Sequence, residues 1–582
     1  MKLLKLFRKR DWLFLFLTVG LIIFQVWLEL TMPEYSKNLS MAVSANEIVM
    51  DEVLRNGGMM VLCAFGAMAS SSCAGVLTSL ISANFAKSLR EEMINKILSF
   101  SNADYDKFST PSLITRTTND VVQIQNLLAI GVQLMLHAPI LAIWAICKIT
   151  AIDISYTTAV IITVVVVVVA ILILIFVTFP KFKKIQKLTD DLNTKMRENI
   201  SGIRIIRAFN AEDYQKNKFE ETNNEITKNN LFTSRTLGSL MPVMMCAMNA
   251  LTLVIYWIGA VIINDKATPI EKVEELGNMM AFSQYALQIV MSFVMLVAIF
   301  IILPRTMVSI KRINEVLNTK PSIIFKKEDI NTDKKGEIEF KNVSFSYSGE
   351  TEPCLKNLSF KIEKGETFAI IGATGSGKST LINLISRFYD VSEGEILIDG
   401  FNIKDLSEKD IQSRIALASQ KSILFKGDIK SNITYGCYDE IKDDDENLIN
   451  ALKNAEANFV FDLENGVHSE VAQGGTNYSG GQKQRLSIAR ALFKNSEIVI
   501  FDDSFSALDY KTDMLVRKNL NDNLVDTTKI IVAQRIGTIK NADKILVLDD
   551  GEIKGLGKHD DLLKNCSVYR EIALSQLSEE EL

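Results

Sequence analysis

Runs of about twenty apolar residues, all of them before position 304, constrain this chain more than any other feature. A hydrocarbon layer about 30 Å thick takes roughly 20 residues of helix to cross. Six such runs can be read, approximately Trp12 to Leu30, Gly58 to Leu80, Leu127 to Ile149, Tyr156 to Phe179, Leu240 to Ile263 and Gly277 to Leu303. The fourth is the clearest, since Val160 to Val177 carries no charge and is almost wholly Val, Ile and Leu. No strand of a soluble domain is that long. With 48% hydrophobic residues the chain is too apolar to stay unfolded. The first half is therefore expected to be an all-α, six-helix transmembrane domain in a lipid bilayer.

Basic residues set its expected orientation. Lys2, Lys5, Arg8, Lys9 and Arg10 precede the first run, and Lys181, Lys183, Lys184 and Lys187 follow the fourth. Such clusters favour the cytoplasmic side. The opposite loops carry acids instead: Glu47, Asp51 and Glu52, then Asp153, then Glu271, Glu274 and Glu275. A multi-pass protein of the cell membrane with both termini cytoplasmic follows. The small residues Ala42 to Ala45 resemble a signal-cleavage pattern, but they lie too far beyond the first run for that arrangement.

Two polar connections, Asn84 to Asn126 and Lys181 to Arg235, lack Gly/Pro clusters and favour helix. They are expected to extend the membrane helices into the cytoplasm as levers. The net charge of −5 argues against nucleic acid as a partner. The 7 cysteines are spread singly, which implies neither a disulfide framework nor a zinc site.

After Leu303 the composition changes. Pro321 to Gly336 reads as a solvated linker. The expected division is residues 1–320 for the membrane domain, 321–336 for the linker and 337–582 for a second domain. In that second domain short β-branched runs alternate with helical patterns, which predicts an α/β fold around a largely parallel sheet. The apolar strand Thr367 to Ile371 leads into Gly372-Ala373-Thr374-Gly375-Ser376-Gly377-Lys378-Ser379 and a helical run from Thr380. Strand, glycine-rich loop and helix in that order make a P-loop, where backbone N–H groups and a helix N-terminus face phosphates. Lys378 is placed to contact the β- and γ-phosphates of ATP, and Ser379 to hold Mg2+. A second strand, Ile498 to Phe501, ends in Asp502 and Asp503, and Asp502 is the expected carboxylate for the cation.

Between these lies Tyr478-Ser479-Gly480-Gly481-Gln482, followed by the helical run Lys483 to Phe493. The order P-loop, SGGQ, strand-Asp resembles the nucleotide-binding cassette of an ATP-binding cassette (ABC) transporter. The resemblance implies that Tyr347 stacks on adenine, that Gln420 reaches Mg2+ and the membrane domain, and that Ser506-Ala507-Leu508-Asp509 is the D-loop. It extends to the first half: Phe108 to Asp120, Met196 to Glu212 and Arg312 to Val316 are similar to the intracellular loops and last helix of the family's type IV exporters. With the first apolar run starting at Trp12, no preceding peptidase domain is expected. Cytoplasmic coupling contacts are expected at Phe108 to Asp120 and Asn210 to Tyr214.

Two positions depart from that family. Asp503 stands where it has the glutamate that acts as general base, and Gln534 where it has a histidine that contacts the γ-phosphate. One methylene less withdraws a carboxylate by about 1.5 Å, and a misplacement near 1 Å costs about 10²-fold in rate. Glutamine donates a hydrogen bond but relays no proton. The resemblance also implies head-to-tail cassette dimers, in which one subunit's P-loop meets the other's SGGQ. An intact Ser479–Gln482 beside an impaired Asp503 and Gln534 points to a heterodimeric exporter half, its own site degenerate and its signature completing the partner's site. The alternatives are a homodimeric exporter with slow hydrolysis and an ATP-binding regulatory subunit without pumping. The cargo is open among drug-like molecules, lipids and peptides. Met241, Met244, Met245, Met248, Met279, Met280, Met291 and Met295, with Phe293, Gln284 and Gln288, are candidates to line its path or to pack helices. His137 and Asn249 are expected to face the bundle interior, and Pro242 to kink the fifth helix.

Overall fold

The structure, a computed structural model, describes residues 6–44, 50–150, 154–326, 336–347, 349, 352–437 and 444–577. Glu47, Asp153 and most of the linker lie outside these residues. The chain forms two compact units: residues 1–96 with 111–319, and residues 97–110 with 320–582.

In the first unit each of the six apolar runs lies in a helix long enough to cross a membrane. Helices α1 (Lys9–Ser44) and α2 (Met50–Leu98) carry the first two, and the short α3 (Asn102–Phe108) follows. The third run follows α4 (Thr110–Thr117) and α5 (Asn119–Asn126), crosses a π-helical turn at Leu127–Gly131 and continues as α6 (Val132–Thr150). Helix α7 (Ile154–Ser201) is 48 residues long, about 72 Å at 1.5 Å per residue. Its polar half is thus continuous with the membrane helix, as a lever requires. Helices α8 (Ile203–Ala208) and α9 (Glu212–Gly238) lead to α10 (Leu240–Asp265), and α11 (Pro269–Asn318) closes the unit. The break between α9 and α10 falls at Ser239, three residues before Pro242. A proline ring lacks the N–H that would bond the carbonyl four residues back and crowds that carbonyl, so the helix ends there.

Helix α11 packs against α6, α1 and α10, and α7 against α9 and α10. Of the methionines, Met244 and Met279 are buried in this packing, whereas Met241, Met245, Met280 and Met291 are exposed on the unit. His137 is buried as expected. Asn249 is not: it lies on the exposed face of α10, where the interior positions fall to Met244, Leu251 and Ile255.

The second unit holds two main sheets. Strands β1 (Ile338–Phe345), β2 (Leu355–Ile362), β4 (Glu393–Ile398) and β5 (Phe401–Asn402) form an antiparallel sheet in the order β2-β1-β4-β5. Strands β3 (Thr367–Ile371), β6 (Ile415–Ala418), β9 (Ile498–Asp502), β10 (Thr528–Val532), β11 (Lys544–Asp549) and β12 (Glu552–Gly557) form the other, ordered β12-β11-β3-β10-β9-β6. It is parallel except for β12. Both faces of its parallel strands are largely buried, so they read as mainly apolar runs rather than alternating ones. Phe368 and Ile370 face one core, with the antiparallel sheet and the P-loop helix; Ala369 and Ile371 face the other, with the signature helix. Stacked rings of Phe340, Phe360 and Phe368, with centroids 4.4 and 5.4 Å apart, tie the two sheets together. Each such ring pair contributes about 0.5–1.5 kcal/mol beyond area burial.

Residues 97–110 pack with this unit. Ser101 caps α3 through a capping box with Asp104, and the Asp104 carboxylate also accepts from the Ser322 backbone N–H at 2.9 Å. Burial disfavours its charge, but these hydrogen bonds and Lys107 hold Asp104 below the usual carboxylate range. The segment expected to make the coupling contact, Phe108 to Asp120, mostly belongs to the other unit. There Arg116 pairs with Glu315 at 2.9 Å, and Asp120 accepts from Ser309 at 2.7 Å. The helix that packs with the cassette is the preceding α3, held through its cap at Ser322 and through Asp106 at Tyr389.

Candidate nucleotide site

Three parallel strands, β3, β10 and β9, end side by side, and their C-terminal ends place the P-loop, Gln534 and the Asp502–Asp503 pair at one edge of the sheet. The P-loop leaves β3 at Gly372, where an added Cβ would collide with the Leu548 carbonyl and the Ser376 hydroxyl. Gly375 and Gly377 have φ of 89° and 100°, a region that L side chains avoid. Gly377 is also the N-cap of the helix Lys378–Ile385, so the free N–H groups of its first turn open toward the loop. Thr374 and Ser379 are exposed, while Ser376 and Thr380 are buried.

Lys378 Nζ donates to the carbonyls of Gly372 at 2.8 Å and Ala373 at 2.7 Å, so the cation folds back over its own loop. Burial pushes its pKa down, against the attraction of Asp503 and Asp502. Burial pushes the Asp502 carboxyl up, and the neighbouring Asp503 adds to this against Lys378. Both shifts have one physical cause, desolvation of charge at the floor of the site.

Asp503 lies just past β9 with φ of 46°, a left-handed conformation that Asp tolerates better than most residues. Its Oδ2 accepts from Gln420 Nε2 at 3.3 Å and from Gln534 Nε2 at 3.4 Å. The three positions expected to serve catalysis, Asp503, Gln420 and Gln534, are therefore within reach of one another. Asp503, Ser506 and Gln534 also line a cleft of about 190 Å³. Gln576 fixes the Gln534 loop, donating to the Gln534 carbonyl at 2.7 Å and accepting from the Ile536 N–H at 2.9 Å.

Tyr347 reaches the first turn of the P-loop helix, its hydroxyl 2.9 Å from Thr380 Oγ1. Its ring meets Tyr389 edge-on, with centroids 5.3 Å apart and planes at 87°. Ser479 to Gln482 are not part of this cluster of groups. Ser479 is the N-cap of the 14-residue helix Gly480–Phe493 and forms a capping box with Gln482, and Ser479 and Gly480 are exposed. That helix N-terminus therefore opens at the surface of the cassette.

Residues 355–506 match the ABC transporter family, and residues 13–293 match the ABC transporter transmembrane region. The chain belongs to the ABC transporter family. It is 36% identical over 522 residues to an uncharacterized ABC transporter ATP-binding protein of Mycobacterium tuberculosis, covering 89% of this chain and 87% of the relative. It is 34% identical over 516 residues to the uncharacterized ABC transporter ATP-binding protein YfiB of Bacillus subtilis, covering 88% of each. An ATP-dependent lipid A-core flippase of Saccharophagus degradans is 31% identical over 501 residues, covering 86% of this chain and 83% of its own. A bacterial Atm1-family ABC exporter solved with ATP bound has the same fold, with a TM-score of 0.79 over 97% of this chain and 98% of that one, at 23% identity.

For this ABC transporter ATP is the ligand of the P-loop. The donors near the loop also fit Mg2+: the Ser379 hydroxyl, the Gln420 amide oxygen and the Asp502 carboxylate are hard oxygens, few enough to leave room for phosphate and water. No cluster of three or more His, Cys, Asp or Glu side chains suited to a resident ion occurs among the described residues. Bound there, the cation would offset the charge of the triphosphate. Two groups near the transporter's site escaped sequence reasoning. Tyr389 carries only the weak signal of an aromatic pair, Phe388-Tyr389, just after the P-loop helix. Asp106, whose Oδ2 accepts from the Tyr389 hydroxyl at 3.2 Å, carries none.

Proposed function

We propose that this chain is one half of a heterodimeric, ATP-driven exporter with both termini cytoplasmic. Its own P-loop site binds MgATP and turns over slowly, while Ser479–Gln482 completes the partner's hydrolytic site. The observation that carries this reading is the Asp503 carboxylate, one methylene short and engaged by two amide donors, Gln420 and Gln534. A general base must reach the water it deprotonates. Asp503 instead accepts from neighbours that supply no proton relay. The outward-facing cap at Ser479, free of such defects, supports the second half of the proposal. The likeness in fold to an Atm1-family exporter supports outward transport, and the lipid A-core flippase among the relatives supports an amphiphilic cargo.

In the proposed cycle Lys378 leaves the loop carbonyls for phosphate oxygens, the first-turn N–H groups of Lys378–Ile385 hold the same phosphates, and Tyr347 covers the adenine. Asp503 polarises water poorly from its withdrawn position. Closure against the partner then draws the long cytoplasmic helices together and opens the membrane path outward. ATPase assays on the assembled transporter test this. Asp503→Glu/Gln534→His should raise turnover at the chain's own site by about tenfold or more, and Ser479→Arg should abolish turnover of the pair. Undiminished hydrolysis by Ser479→Arg rules the reading out.

A further inference from the structure

The membrane unit contains a polar cluster that neither the nucleotide chemistry nor helix packing uses up. Glu29 lies on α1 inside the first apolar run, with Gln25 one turn earlier. Gln25 Nε2 donates to Glu29 Oε1 at 2.8 Å. His137 of α6 brings Nε2 to 3.1 Å from Glu29 Oε2, and Gln288 of α11 donates through Nε2 to the Glu29 backbone carbonyl at 3.3 Å. Three helices thus direct their donors at one residue. Ionisable groups at such depth are costly and mark ligand or ion pathways.

The arrangement is unbalanced. The side-chain oxygens of Gln25 and Gln288 are buried and have no hydrogen-bond partner among the described residues. Gln25 is itself 8% exposed. A cluster built only to join helices gains from being fully satisfied. Here the amide N–H groups are spent on Glu29, and two amide oxygens remain beside a carboxylate. What is missing is a donor, and the local charge favours a positive one. The Glu29 side chain keeps 25% of its surface, so the acid can be reached. The polar seam continues along the same helix pair, where Gln284 donates to Ser36 at 3.0 Å and the Tyr285 hydroxyl to the Leu30 carbonyl at 3.0 Å.

We propose that Gln25, Glu29, His137 and Gln288 form the polar end of a cargo site, and that it takes an amphiphile bearing a protonated amine. An ammonium group supplies three N–H donors and one positive charge. A neutral amphiphile leaves the amide oxygens unmatched, and an anionic one meets a carboxylate. This rests on the exporter reading for its purpose, but its test needs no hydrolysis.

The test is binding to the purified, nucleotide-free transporter in phosphatidylcholine nanodiscs, read by dansyl fluorescence. Three probes share one alkyl chain: dansylcadaverine with its free amine, its N-acetyl derivative, and the matching carboxylate. The amine should bind saturably and at least about tenfold tighter than either analogue, the worth of one charge-assisted hydrogen bond. Glu29→Gln should remove that preference and Gln288→Leu reduce it, whereas Leu253→Met, on the exposed face of α10, should leave it unchanged. Equal affinities for the three probes, no saturable binding of the amine, or a full preference kept by Glu29→Gln would each overturn the proposal. The ranking on the unaltered protein decides the matter even if a variant fails to fold. Failure of the Ser479→Arg assay would sink the heterodimer and leave this ranking standing, so the two can be told apart.

Discussion

At the scale of residues, the nucleotide site is a place where the protein accepts unfavourable electrostatics. Asp502 sits at the buried end of β9 beside another carboxylate, and its pKa is raised by burial first and by Asp503 second. A carboxyl whose folded pKa lies above its unfolded value binds more protons when folded, so stability is lost as pH rises through that interval. Asp502→Asn removes the charge while keeping the shape. Without nucleotide it should therefore raise the unfolding temperature at pH 7 by about 2 °C or more, with the gain shrinking as pH falls and Asp502 takes up its proton. Thermal unfolding followed across pH in detergent checks this. A variant less stable than its parent at pH 7 would mean that Lys378 already compensates the charge. The strand, loop and helix around Gly372, Lys378 and Ser379 and the strand end at Asp502 were legible from motif spacing, whereas Ser479 was read from the resemblance alone. The pairing of Asp503 with two glutamines was not legible, because Gln420 and Gln534 approach it from separate strands.

At the scale of elements, the six membrane helices were readable because a long uncharged run admits one solution in lipid. The cassette's parallel sheet was readable from its alternation with helices. The antiparallel sheet β2-β1-β4-β5 was not distinguished from it, since strand order depends on pairings such as Phe340 with Ile396 that no local pattern encodes. The packing of α3 with the cassette was not legible for a similar reason: Asp104 meets Ser322, 218 positions away. That docking has a consequence. Tyr389 joins Asp106 of α3 by its hydroxyl and Tyr347 by its ring edge, and Tyr347 in turn touches Thr380 on the P-loop helix. Burial, then the Asp106 charge and hydrogen bond, push the Tyr389 phenol up to about 12, so it remains a donor at any physiological pH. Tyr389→Phe keeps the ring and deletes the donor. ATP affinity should stay within about twofold, while cargo moved per ATP falls by about threefold, the worth of a modest hydrogen bond. An unaltered ratio of transport to hydrolysis would show that the contact carries no motion.

At the scale of the whole molecule, one chain leaves its chemistry unfinished. The cap at Ser479 faces outward, and the turn between α8 and α9 presents Phe209 at 79% and Tyr214 at 68% exposure. Symmetric pairing of two identical chains is the common solution for oligomers, yet here it would build two sites, each with a withdrawn Asp503. The two assemblies differ in what lies opposite Ser479. With the exposed Cys73, Cys147 and Cys246 replaced, Ser479→Cys should form an ATP-dependent disulfide with a cysteine in the P-loop of a co-purifying subunit. Two differently tagged copies of this chain, one with Ser479→Cys and one with Thr374→Cys at the exposed part of the P-loop, should give none when that subunit is present. Efficient cross-linking between the two copies under those conditions would establish the symmetric dimer. The slow site would then belong to the whole transporter, and Asp503 would set its overall rate rather than dividing labour between two unequal halves.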